Sequence, residues 1–300
     1  MNKYFLSLFL LPSLLFASSA NDPPLATYHS SVSEVRVTFF TTDENNRTIE
    51  SVRQDDFAVV DGDVVVREFS GLTRTNETAL DVVVMLDSSE SVAPRFQSTM
   101  NDVLQLVRQK QIASEDKISV LSFSGMQPAV LCTADCRASE GLQHLLLIKP
   151  SGATPLFDAL AYGANFILRR RVADLRPVLV LFSDGDDTIS KVSAREAIRA
   201  LVATGALLYA VDLNQPGENP RGSWALQRLA EATGGRYFSM QEGATTVLQA
   251  ALDDLRASYV VTYNLPSREA GFHSLRILPK HNLNLRFHCR SGYYYGTDVP

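Results

Sequence analysis

Cysteine is scarce in this 300-residue chain, with three residues and no Cys-x-x-Cys pair. A disulfide-built scaffold is therefore excluded. Basic charge is also in deficit: 28 Lys and Arg face 33 Asp and Glu, for a formal net charge of -5. A mildly acidic chain of this kind is a poor non-specific binder of nucleic acid or of anionic membranes, so neither is an expected partner. Gly-x-Ser-x-Gly and P-loop motifs are absent, and His29, His144, His273, His281 and His288 neighbour no nucleophile motif. No internal repeat appears. What is present is ordinary globular composition, 45% hydrophobic and 20% charged, which rules out collagen-like, low-complexity and wholly disordered chains. The length fits about two domains.

Residues 1–20 have the pattern of an export signal. Lys3 precedes an apolar run from Tyr4 to Phe16, and small residues Ala17, Ser18, Ser19 and Ala20 follow. A charged start, a short apolar core and a small-x-small end predict cleavage after Ala20 and a secreted or periplasmic product. The run is shorter than the ~20 residues of a spanning helix, and no later stretch is long and apolar enough to span. Export permits disulfides. Cys132 and Cys136 are close enough to close one bridge, leaving Cys289 free and buried; three free thiols is the alternative, and the spacing leaves both open. No His lies near the pair at zinc-ligand spacing.

The texture changes twice along the chain. Residues 21–78 read as a β segment: an alternating strand at 32–40, a hairpin through Asp61-Gly62-Asp63, and a polar, linker-like stretch from Gly71 to Thr78. Across 79–257, apolar β-branched runs (Val82–Leu86, Ile118–Phe123, Val178–Phe182, Leu207–Val211) alternate with helical periodicity. That pattern predicts an α/β fold with a doubly wound, mostly parallel, Rossmann-like sheet. Residues 258–300 return to β alternation. Neither flank has a convincing core alone, and together they suit one small β domain into which the α/β domain is inserted.

Ligands of open α/β sheets bind at the carboxyl ends of strands. Val82–Leu86 runs into Asp87-Ser88-Ser89-Glu90-Ser91, and Val178–Phe182 runs into Ser183-Asp184-Gly185-Asp186. Ser151-Gly152-Ala153-Thr154-Pro155 precedes a helix between them. Asp87, Ser89, Ser91, Thr154 and Asp184 therefore form a candidate oxygen-only site suited to a hard cation, Mg²⁺ or Mn²⁺. Two carboxylates just neutralise such an ion, and a Glu or Asp from a protein partner can replace one of its waters. Glu90, Asp186 and Asp187 are expected to face solvent.

This set resembles the von Willebrand factor type A domain with its metal-ion-dependent adhesion site. The family pattern, Asp-x-Ser-x-Ser, then Thr, then Asp-Gly, is met by Asp87, Ser89, Ser91, Thr154, Asp184 and Gly185. The flanking Val35–Phe39, the run at 55–62, Arg67-Glu68-Phe69 and the closing Arg290-Ser291-Gly292-Tyr293 resemble the acidobacterial-type "VWFA-related" secreted proteins. The resemblance implies a bacterial, non-enzymatic, adhesion-type protein. Two alternatives remain. Val178–Phe182 followed by Asp184-x-Asp186-x-Thr188 also resembles the first motif of haloacid dehalogenase-type phosphatases, with Asp184 as nucleophile and Asp186 as general acid/base. The other is a structural envelope protein with an idle metal site.

Overall fold

A computed structural model describes residues 34–75, 79–108, 115–126, 128–134, 136, 143, 145–170, 175–240 and 244–296. The expected export signal and its cleavage point lie outside these residues. The chain begins with β1 (Glu34–Thr42), β2 (Phe57–Asp61), β3 (Val64–Val66) and β4 (Gly71–Arg74). It continues through β5 (Leu80–Asp87), α1 (Ala93–Val107), β6 (Lys117–Phe123), β7 (Ala129–Cys132) and α2 (Leu156–Arg170). Then come β8 (Arg176–Ser183), α3 (Ala194–Thr204), β9 (Leu207–Asp212), α4 (Pro220–Thr233), β10 (Tyr237–Ser239) and α5 (Ala244–Arg256). It closes with β11 (Tyr259–Asn264), β12 (Gly271–Pro279), β13 (Arg286–Cys289) and β14 (Gly292–Tyr295).

The middle of the chain forms a six-stranded sheet in the order β10-β9-β8-β5-β6-β7. All its pairings are parallel except β6 with the edge strand β7. This is the doubly wound, mostly parallel arrangement, with winding reversing at β5. Period-two alternation gives β5 two apolar faces. Val82, Val84 and Leu86 join a core with α1 and α5, while Val83 and Met85 join a core with α2, α3 and α4. Helix ends follow local chemistry. Ser193 and Glu196 form a reciprocal capping box at the start of α3. Asn219 caps α4, whose first residue is Pro220.

The two terminal segments share two four-stranded antiparallel sheets, β13-β1-β11-β4 and β14-β12-β2-β3. Each sheet draws strands from both flanks of the α/β region. Between them Val37, Phe39, Phe57, Val59, Val261, Tyr263, Leu275 and Ile277 form a third core. The stretch from Gly71 expected as linker corrects in part: Gly71–Arg74 is a strand. Leu72 is its sole large apolar residue, but its backbone pairs with β11, as an edge strand can without an apolar pattern. A buried ionic network joins the sandwich to the α/β layer. Asp254 of α5, fully buried, accepts from Thr48 Oγ1 at 2.7 Å and from Arg236 Nη1 at 3.2 Å. Cys132 and Cys136 are disulfide-bonded, and Cys289 is free and half-buried, its thiol pushed up to about 12 by burial.

Candidate functional site

Asp87 ends β5, a strand with no exposed residue, and is itself fully buried. Its Oδ1 accepts from the Ser89 backbone N–H at 2.9 Å, which turns the chain immediately after the strand. Its Oδ2 accepts from Ser183 Oγ at 2.7 Å, so the tops of β5 and β8 are joined one residue before Asp184. Ser89 Oγ lies 3.1 Å from Ser91 Oγ; Ser89 is buried and Ser91 exposed.

Thr154 is buried and held by loops on two sides. Its N–H donates to Thr188 Oγ1 at 2.8 Å, and its carbonyl accepts from the Thr188 N–H at 2.9 Å. The residues before it grip the Asp87 loop: Ser151 N–H donates to the Ser88 carbonyl and Glu90 N–H to the Gly152 carbonyl. Asp184 is also buried. Its Oδ1 accepts from Asp186 N–H at 3.1 Å, and Asn214 Nδ2 donates to its backbone carbonyl at 2.7 Å. Gly185 has φ +80°, and a Cβ there would lie 2.2 Å from the Gly222 carbonyl oxygen, so this loop rests directly on the first turn of α4.

The five candidate residues thus occupy three interlocked loops at the carboxyl edge of β5 and β8, at the switch point of the sheet. Burial pushes the Asp87 carboxyl up to about 6; hydrogen bonds from Ser89 and Ser183 oppose this, and the negative charge of Asp184 adds to it. Among the described residues no Lys or Arg forms an ion pair with Asp87 or Asp184. Nor do three or more His, Cys, Asp or Glu side chains gather in a metal-binding group there. The donor set is two carboxylates and three hydroxyls, which fits a hard cation better than a soft one.

Two expectations change. Glu90 is exposed, but Asp186 and Asp187 are half-buried. Asp186 accepts from Asn219 Nδ2 at 2.7 Å, and Asp187 accepts from Ser190 Oγ and the Phe157 N–H. These carboxylates therefore hydrogen-bond to protein donors as well as keeping a partly exposed face. Asp253 and Asp254, the other acidic pair, lie on α5, where Asp254 faces Arg236 and Thr48.

Sequence reasoning passed over Asp212, the last residue of β9. Its register places it beside Ser183, in one row with Asp87 across β5, β8 and β9. It is buried, with Oδ1 accepting from the Asn214 N–H at 2.8 Å and its Nδ2 at 2.7 Å. Its Oδ2 accepts from Tyr237 OH and Ser223 Oγ. Because Asn214 Nδ2 also reaches the Asp184 carbonyl, Asp212 fixes the backbone that carries Asp184. The available signal was Asp212-x-Asn214 after a buried strand, the same form as Asp87-x-Ser89.

The profile of the von Willebrand factor type A domain matches residues 81–253. The magnesium-chelatase 67 kDa subunit of Chlorobaculum tepidum is 26% identical over 189 residues, 57% of this chain and 30% of that protein. The human von Willebrand factor A domain-containing protein 3A is 25% identical over 174 residues, 56% of this chain and 14% of that protein. The chain therefore spans under a third of the length of these curated relatives. Among solved structures, the vWF domain of the type V pili tip protein Mfa5 from Porphyromonas gingivalis aligns at 12% identity and a TM-score of 0.48, covering 58% of this chain and 94% of that one.

Proposed function

The chain belongs to the von Willebrand factor type A family, and on that premise we propose a non-enzymatic, adhesion-type binding protein that engages an acidic group of a protein partner. A divalent cation, Mg²⁺ or Mn²⁺, is held in this reading by Asp87, Ser89, Ser91, Thr154 and Asp184. The observation that supports it is the burial of Asp87 and Asp184 as electrostatic neighbours, with neither in an ion pair among the described residues. Such a pair favours a bound cation, because burying like charges together is otherwise costly. When bound, the cation supplies a positive centre with positions open to a carboxylate.

The chain's own residues divide the work. Asp87 and Asp184 bring the negative charge. Ser89, Ser91 and Thr154 offer neutral oxygens, so the cation keeps residual charge for the partner. Ser91, the one exposed member, marks the side from which a partner approaches. The proposed location is secreted or periplasmic, and the Cys132–Cys136 disulfide suits an oxidising compartment. Among the described residues no helix is long and apolar enough to cross a membrane.

The test is thermal unfolding in Mg²⁺ or Mn²⁺ against chelator, for the wild type and Asp87→Ala. Metal at 100 times its dissociation constant is expected to stabilise the wild type by ~2.7 kcal/mol and the variant not at all. A wild type with no metal response at millimolar concentrations overturns the reading. A metal response with no partner captured in a chelator-controlled pull-down favours the structural envelope protein instead.

A further inference from the structure

Beside the α/β layer, α3 and α4 form two walls of a groove of about 770 Å³, and the β12–β14 pair forms its floor. The floor and one wall are aromatic. Phe272 and Tyr294 are cross-strand partners with ring centroids 5.1 Å apart. The Phe272 ring is seated over Gly292, where a Cβ would lie 2.3 Å from it. Trp224, on α4, is 64% exposed, and Phe272 is 49% exposed. Exposed aromatics of this size in one concave patch mark an interaction site.

The charge of the groove runs against that of the protein. Arg195 and Arg199 line one wall and Arg228 the other, while among the described residues no Asp or Glu lines it. The chain as a whole carries -5. None of the three arginines is in an ion pair among the described residues. Glu196 feels the Arg199 charge, but its carboxylate is engaged by the Ser193 hydroxyl and N–H at the helix cap. Arg199 stacks over Tyr294 at 4.6 Å and Arg228 over Trp224 at 5.7 Å, which orients both guanidinium groups. The Arg199 Nε is buried without a hydrogen-bond partner.

We propose that this groove is a docking site for an extended acidic segment of a partner protein, with carboxylates alternating with apolar side chains. Spacing supports the extended form. Arg195 and Arg199, one turn apart on α3, are separated by ~6 Å along the helix axis. Side chains two apart on an extended strand point the same way at ~6.6 Å. Successive carboxylates of such a segment therefore meet successive arginines, and the intervening apolar side chains turn to Phe272, Tyr294 and Trp224. The wall from Ala194 to Val202 spans ~12 Å, room for about four extended residues. Arg with Trp and Tyr is also the composition that dominates binding energy at interfaces. This inference stands apart from the cation site, since none of its residues is a ligand there.

Trp224 is the single tryptophan of the chain, so its fluorescence reports the groove alone. The experiment titrates the wild type with a capped Glu-Phe-Glu-Leu-Glu peptide, in chelator, following the indole emission. A saturable blue shift, weakened by salt and absent with the capped Gln-Phe-Gln-Leu-Gln peptide, is expected. Arg195→Gln and Arg199→Gln, with unchanged urea midpoints, are each expected to weaken binding roughly tenfold. Four results overturn the proposal: no saturable shift at millimolar peptide, equal affinity for the neutral peptide, unchanged affinity in both arginine variants, or a shift that follows protein concentration without peptide, which would make a second copy the occupant.

Discussion

Protonation of the network joining α5 to the β-sandwich should leave a signed record in the stability of the protein. Asp254 is fully buried, and burial pushes its carboxyl from 3.8 up to about 6, although Arg236 and Thr48 pull it back. Between those values the folded state holds a proton that the unfolded state has released, so stability falls as pH rises, and the cost is complete above about 6. At about 1.36 kcal/mol for each pH unit, the window from 3.8 to about 6 corresponds to about 3 kcal/mol. His288 behaves oppositely. It stacks on Phe40, contacts Thr42 Oγ1 at 3.0 Å, and burial lowers it from 6.5 to about 4, with Arg236 and Arg286 lowering it further. Between about 4 and 6.5 the unfolded state binds the extra proton, so stability rises with pH, again by about 3 kcal/mol.

The two effects overlap and oppose each other, so they largely cancel one another in the wild type and are separated only by comparison with single variants. The assay is urea unfolding at half-unit pH steps from 3.5 to 7.5, in chelator, for the wild type, Asp254→Asn and His288→Asn. Wild-type stability minus that of Asp254→Asn should fall by about 3 kcal/mol from pH 3.8 to about 6. Wild-type stability minus that of His288→Asn should rise by a similar amount from about 4 to 6.5. The Asn at 254 retains an oxygen for Thr48 and Arg236, so a constant offset is admissible. A difference curve without slope, or with the opposite slope, refutes the assignment of buried charge to that residue.

Other outcomes follow from single positions. Gly185→Ala sets a Cβ against the Gly222 carbonyl at φ +80° and should cost more than about 2 kcal/mol in urea unfolding, abolishing the metal-dependent thermal shift with it. A stable variant with normal metal response would show that the loop relaxes freely. Replacing Cys132 and Cys136 by Ser opens a short loop at the sheet edge and should cost about 2 kcal/mol by the chain-entropy relation, read as a lower unfolding midpoint equal to that of the reduced wild type.

The parallel sheet was legible because its strands are buried on both faces. Val82–Leu86 and Val178–Phe182 carry unbroken apolar runs, and only a sheet covered by helices on each side needs them. The flanking strands were harder to place for the converse reason. Gly71–Arg74 is held by backbone hydrogen bonds to β11, whose residues lie nearly 190 positions away. Nothing in four polar-leaning residues encodes a partner at that distance. The interleaving of the two ends into both sheets is likewise a pairing fact. At the junction the two ends are held together: Arg74 pairs with Tyr259, and the Thr75 N–H donates to the Ser258 carbonyl at 2.9 Å.

The candidate site divides in the same way. Asp87, Ser89, Ser91, Thr154 and Asp184 each stand at the end of a legible strand or the start of a legible helix, and their conjunction, matched by the resemblance to the von Willebrand factor type A pattern, selected them among their neighbours. The residues that hold them were invisible because their work is done by hydrogen bonds between loops. Thr188 meets Thr154 across 34 positions, and Asn214 reaches the Asp184 carbonyl across 30. These bonds make the two carboxylate arms unequal. The Asp184 arm is braced by Asn214, Asn219 and the contact of Gly185 with Gly222, and Asp212 braces Asn214 in turn. The backbone of the Ser89–Ser91 arm is gripped through Ser88 and Glu90 by the loop before Thr154, but the arm ends in an exposed Ser91 hydroxyl whose described side-chain contact is the Ser89 hydroxyl. A cation entering such a site would find one side preformed, and the cost of ordering would fall on the Ser91 side chain, on the side where the proposed partner would approach. Partner binding should then tighten cation binding, and by linkage the cation should tighten the partner by the same factor.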